Sequence, residues 1–173
     1  MMGHYAIIVT LGPFNCGAVT APSAKLPYTR ACVLEVQRFG NVLSNNVYRE
    51  TVRETTIRGQ SIPAGTMVNA DIHHVMAHDP LFVEPEKFAP DRYISEDGKT
   101  LKKDLIDRTI PFSIGKRACA GESLAKVELI LCLASMVQHY RILPCEGDVI
   151  DLEPIALGML RPKDQNVRLE KAF

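Results

Sequence analysis

The sequence predicts an α+β fold, mainly helical, with two long helices and small antiparallel β-hairpins. Three observations carry that prediction. Helix signals bracket two segments, Leu26–Gly40 and Ser123–Tyr140; β-formers alternate with turn residues through Asn46–Asn69; and Pro and Gly recur along the tail from Tyr140 to Phe173.

Composition narrows the class further. A chain of 173 residues supports one core, burying roughly 70% of the unfolded surface. Lys+Arg and Asp+Glu both number 20, so no charge imbalance points to nucleic acid or to an anionic membrane surface. The five cysteines, Cys16, Cys32, Cys119, Cys132 and Cys145, are odd in number and irregularly spaced, which argues against a disulfide framework and for a reducing compartment. Without a Cys-x-x-Cys, a zinc or thiol-redox domain is not expected. No apolar run reaches the ~18 residues of a membrane span, and no Lys or Arg precedes the apolar patch of MMGHYAIIVTLG, so neither an anchor nor a signal peptide is expected.

Taken in order, residues 1–24 show no sustained period and read as a loose head, whereas 25–173 read as organised. Pro27 suits the first turn of a helix and Gly40 its end. Glu35 and Arg38 then stand at i, i+3 on one face, a pair that in solvent contributes only a few tenths of a kcal/mol. Strands are expected at Asn46–Tyr48, Glu54–Ile57 and Thr66–Asn69, with a type I turn at Ile62–Gly65 closing a hairpin. Arg49, read by itself, is a solvated charge among Glu50, Arg53 and Glu54. His74 and His78 stand at i, i+4 beside His73, but no glutamate completes His-Glu-x-x-His, and the three are expected to be structural. Residues 94–109 are polar and read as a surface excursion. After Cys119, Leu124, Val127 and Leu131 share a face that Ile130, Leu133 and Ala134 widen, so this helix is nearly all apolar and needs covering. The tail is expected to form one or two hairpins.

The densest chemical signal is PFSIGKRACAGESLA, Pro111–Ala125. A thiolate ligates metals, so a cysteine ligand needs surroundings that favour negative charge. Gly115 and Gly121 permit turns that let peptide N–H groups face the sulfur, the following helix presents its positive end, and Arg117 adds a cation. The alternative is that Cys119 is a small hydrophobe beside a helix start.

Phe112, Gly115, Arg117, Cys119 and Gly121 follow Phe-x-x-Gly-x-Arg-x-Cys-x-Gly, which resembles the haem-ligand loop of the cytochrome P450 family, the haem-thiolate monooxygenases. Two further segments, in the family's order, strengthen the resemblance. LPYTRACVLEVQR is similar to the K helix, and FAPDRY (Phe88–Tyr93) to the Pro-Glu-Arg-Phe segment, with Asp91 and Tyr93 substituted. On these residues the chain is identified as a member of that family over 25–173.

The resemblance implies a C-terminal, haem-proximal portion of the fold, with K-type and L-type helices, and haem b as cofactor. Cys119 would be the axial ligand of the iron, with no other catalytic group. Arg117 and Arg49 would bind propionates, Phe112 would pack beside the macrocycle, and Glu35, Arg38 and Arg92 would form a buried structural triad. Ile155–Leu157 would lie near the substrate, with ordinary hairpin packing as the other reading. CGAVTA, at Cys16–Ala21, is similar to the oxygen-activating helix but lacks its acid and lies too close to the next motif, so it is rejected. The implied activity is monooxygenation of a small organic substrate, with electrons from an NADPH-dependent reductase docking near Lys116; in eukaryotes such proteins sit at the endoplasmic reticulum membrane. The distal helix and most of the substrate wall are not expected in this chain, so the alternative is a truncated or mispredicted product that does not turn over and binds haem weakly or not at all.

Overall fold

The computed structural model describes residues 26–156 and 159–172. The head 1–24, including Cys16–Ala21, and Leu157 lie outside the described residues.

Helix α1, Pro27–Gly40, starts on its proline as expected. It ends at Gly40, also as expected, and Asn41 caps it, taking the left-handed conformation (φ 39°) and donating its N–H to Gln37 O at 3.1 Å. The inward face of α1 carries Ala31, Cys32 and Val33 together with Glu35 and Arg38.

Two nested antiparallel pairs follow. Strand β1, Arg49–Glu50, pairs with β4, Met67–Val68, and inside them β2, Thr55–Ile57, pairs with β3, Gln60–Ile62. The inner hairpin turns on Arg58 and Gly59, whose φ values of 49° and 82° are those of a two-residue type I′ turn. The turn at Ile62–Gly65 therefore closes no hairpin. It joins β3 to β4, with Gly65 at φ 77° donating to Thr51 O at 2.7 Å. Asn46–Tyr48, expected as a strand, precedes β1, because Asn46 spends its N–H on Ala70 O and its side chain on the cysteine loop.

Helix α2, Ile72–His78, is capped by Asp71 and buries Ile72 and Met76. A 3₁₀ turn, Pro90–Tyr93, and helix α3, Lys103–Arg108, complete the core: Ala31, Phe82, Tyr93 and Leu105, with Leu34, Ile94, Leu101 and Ile106 packed against them. Residues 94–109 are thus more than a surface excursion, since Leu105 sits 5% exposed inside a charged run.

Helix α4, Glu122–His139, packs against α1, and of its apolar residues only Ala134 is buried. Leu124 and Val127 remain 64% and 54% exposed. The tail forms the two expected pairs: β5, Tyr140–Pro144, with β8, Val167–Lys171, and β6, Ile155–Ala156, with β7, Leu160–Arg161. Among the described residues no helix is long and apolar enough to cross a membrane.

Candidate functional site

The site is built from a buried ionic knot and a cysteine loop. In the knot, Arg38 donates Nε to Glu35 Oε2 and Nη2 to Glu35 Oε1, both at 2.8 Å. Arg92 adds Nε to Glu35 Oε1 at 3.2 Å, and Ala89 N donates to the same oxygen at 2.9 Å. Glu35 is 0% exposed, so its carboxylate survives burial only because two guanidinium groups and an amide share it. The arginines spend their other N–H groups on carbonyls: Arg38 on Met76 and Lys87, Arg92 on Val83, Glu84 and Lys87. One carboxylate on α1 thereby fixes α2 and the segment 83–92. The same packing raises nearby acids. Burial, helped by the Asp91 and Glu35 carboxylates, pushes the Cys32 thiol up to about 11, and burial pushes the Tyr93 phenol up to about 12.

The cysteine loop leaves the core after α3. Ser113 N donates to Ile110 O at 3.0 Å, Ala118 N to Gly115 O at 3.1 Å and Cys119 N to Phe112 O at 2.9 Å, so the loop is closed by its own backbone. Gly115 has φ 79°, the conformation that glycine adopts freely. Gly121, in contrast, has an ordinary φ of −91°; a Cβ there would stand 3.8 Å from Cys119 Sγ. Its place matters for the space beside the sulfur, not for a turn. Among the described residues no N–H donates to Cys119 Sγ; the N–H of Cys119 itself turns away, to Phe112. Helix α4 begins at Glu122, directly after this loop, and Lys126 pairs with Glu122 at 2.5 Å while standing 6.0 Å from the Phe112 ring centroid.

The sequence-predicted arginines come together. Arg49 Nη2 donates to Arg117 O at 3.4 Å, linking β1 to the loop, and among the described residues neither Glu50 nor Glu54 forms an ion pair with it. Asn46 Nδ2 donates to Ser113 Oγ at 2.7 Å, a second tie between the same two segments. Sequence reasoning missed Asn46 and Ser113. Ser113 holds φ 65°, which only a structure reveals for a serine. Cys119 and Lys116 are exposed, Phe112 is half-buried, and His73, His74 and His78 lie on α2, apart from the loop in sequence and element. Ile155 sits on the β6–β7 hairpin.

Comparison with known proteins decides the family. The cytochrome P450 family model matches residues 20–167. The chain belongs to the cytochrome P450 family. It is 36% identical over 159 residues to cytochrome P450 2E1 of Oryctolagus cuniculus, covering 91% of this chain and 31% of that relative. To cytochrome P450 2E1 of Bos taurus it is 39% identical over 156 residues, 90% of this chain and 31% of the relative. To cytochrome P450 2S1 of Homo sapiens it is 38% identical over 149 residues, 83% of this chain and 29% of the relative. The chain thus spans less than a third of the length of these relatives.

Family membership brings haem b as the cofactor, and the loop fits it. The sulfur is a soft donor at the surface, with Gly121 leaving room beside it. Arg117 is exposed and the Arg49 guanidinium reaches the loop at Arg117 O, so two cations lie near the loop for an anionic group to use. Ile114 at 69% exposure, with Leu124 and Val127 on the first two turns of α4, leaves apolar surface for a macrocycle face.

Proposed function

We propose that this chain forms the thiolate side of a cytochrome P450-type monooxygenase acting on a small organic substrate, with α1 as the K helix and α4 as the L helix. The observation that carries it is the loop itself: an exposed Cys119, fixed through Cys119 N to Phe112 O at 2.9 Å and tied to β1 by Arg49 and Arg117.

Bound there, haem supplies oxygen activation, which a cysteine thiolate promotes by pushing electron density toward iron. The protein's own part is positional. Cys119 would supply the sulfur ligand to the iron, Arg117 and Arg49 would neutralise the anionic side chains of the haem, and Phe112 would pack against it. Glu35, Arg38 and Arg92 do no chemistry; they keep α1 and the segment leading to the loop in one register. Lys116, exposed beside the cysteine, is the first cation that an acidic face of an electron-donating reductase would meet.

Haem titration of the chain, followed by the ferrous carbon monoxide spectrum, tests this. Stoichiometric binding with the red-shifted Soret band of a thiolate ligand is expected, and Cys119→Ala should abolish that band. Binding that is unchanged by Cys119→Ala would overturn the assignment. A second reading, that the isolated chain does not turn over, is favoured by the bare apolar face of α4. Substrate oxidation by the haem-loaded chain with a reductase would exclude it.

A further inference from the structure

We propose that His74 and His78 form a bidentate surface site for a divalent transition-metal ion of the class that imidazole prefers: nickel, copper or zinc. This inference does not rest on the haem reading.

Helix α2 sets the geometry. Asp71 caps it by accepting from His74 N at 2.8 Å, which fixes the first turn, and His74 and His78 then lie one turn apart on the same face. Their rings stack, 15° from parallel, with centroids 4.9 Å apart, and both residues are exposed. Two nitrogens bound at roughly 2.0–2.1 Å to one ion lie at most about 4.2 Å apart, a spacing that rings this close can reach with small χ adjustments. Among the described residues neither ring gives or receives a hydrogen bond from the protein, so their nitrogens meet only water. Turned about their χ torsions out of this stack, the two exposed rings can each direct one nitrogen at a common ion.

The flanking carboxylates explain why the site is bidentate. Asp71 is spent on the helix cap, and Asp79 accepts from Leu81 N at 3.0 Å while pairing with Arg108 at 3.5 Å. No three of His, Cys, Asp or Glu among the described residues converge on one ion, so water fills the remaining positions. Between the two histidines, Met76 offers its carbonyl to Arg38 Nη1 at 3.2 Å. An ion clamping His74 to His78 therefore stiffens the turn on which the buried knot rests.

The test is calorimetric titration of Ni²⁺ into the full chain carrying Cys16→Ala, Cys119→Ala and Cys132→Ala, which removes Cys16 and the two thiols exposed among the described residues as competing ligands. One ion per chain is expected. His74→Gln and His78→Gln should each weaken binding on the order of a hundredfold, because the second imidazole binds intramolecularly. His139→Gln, on α4, should leave it unchanged. The melting temperature should rise with Ni²⁺ in the parent and not in either α2 variant; without metal all four proteins should melt alike, since the substituted side chains are exposed. Equal Ni²⁺ affinity in the parent and in either α2 variant, or a loss shared by His139→Gln, would overturn the proposal, as would no binding at millimolar Ni²⁺.

Discussion

Arg38 grips Glu35 by both carboxylate oxygens at 2.8 Å, in surroundings where neither side chain is more than 2% exposed. The pair stands at i, i+3 on α1, and in solvent it would contribute little. Burial reverses the ranking, because losing one partner strands the other charge away from water.

Glu35→Gln should therefore destabilise the chain by about 3–5 kcal/mol, the range for breaking a buried ion pair. Arg92→Lys should cost about 1.5–3 kcal/mol, because a lysine cannot reproduce a fork that reaches Glu35 and the carbonyls of Val83, Glu84 and Lys87 together. Urea unfolding followed by far-UV circular dichroism measures both. A cost under about 0.5 kcal/mol for Glu35→Gln, the ordinary value for a surface change, would show that the knot does not hold the fold.

Tyr93 offers a finer probe of the same core. Thr109 has one hydroxyl proton, which goes to Leu105 O at 2.8 Å, so Tyr93 must be the donor in its 2.7 Å contact with Thr109 Oγ1. Tyr93→Phe removes that bond and keeps the ring. About 1 kcal/mol should be lost, with the alkaline titration described next losing its upper limb.

Stability should fall in alkali. Cys32 ionises near 9.0 when unfolded but at about 11 in the fold, and Tyr93 moves from 10.0 to about 12, in both cases first because burial disfavours the anion. Between these values the unfolded chain has released protons that the folded chain retains, so the unfolding free energy decreases as pH rises. The contribution is whole below about pH 9 and is lost on passing through the folded values. Melting temperatures from pH 8 to 12 should show this decline, and Cys32→Ala should flatten its lower part.

How legible all this was depended on range. Helix α1 was readable because Pro27 and Gly40 mark its ends locally, whereas nothing in the sequence singled out Asn41 as the left-handed cap that follows. The nested pairing of β1 with β4 was hidden, since Arg49 opposes Val68 across a separate hairpin whose turn uses Arg58 at positive φ, an unusual residue for that place. Leu105 was masked by charged neighbours that face outward. The site showed the same division. Residue types and spacing pointed to Cys119, Arg117 and the Glu35–Arg38–Arg92 set, but nothing local disclosed that Asn46 would reach Ser113, because that contact joins residues far apart in the chain.

Gly115 and Gly121 look alike in the motif and should respond differently to alanine. At Gly115 a methyl meets no atom within 4 Å, so the whole cost is the strain of φ 79°, about 1–2 kcal/mol. At Gly121 the backbone accepts alanine, and the methyl lands 3.8 Å from Cys119 Sγ. Gly115→Ala should therefore lower the melting temperature, whereas Gly121→Ala should leave it nearly unchanged and slow alkylation of Cys119. Maleimide labelling with peptide mapping provides the readout: Cys119 and Cys132 are exposed and should react quickly, Cys32 is buried and should not, which gives an internal reference. If Gly121→Ala leaves Cys119 as reactive as before, the space beside the sulfur is not what this glycine protects.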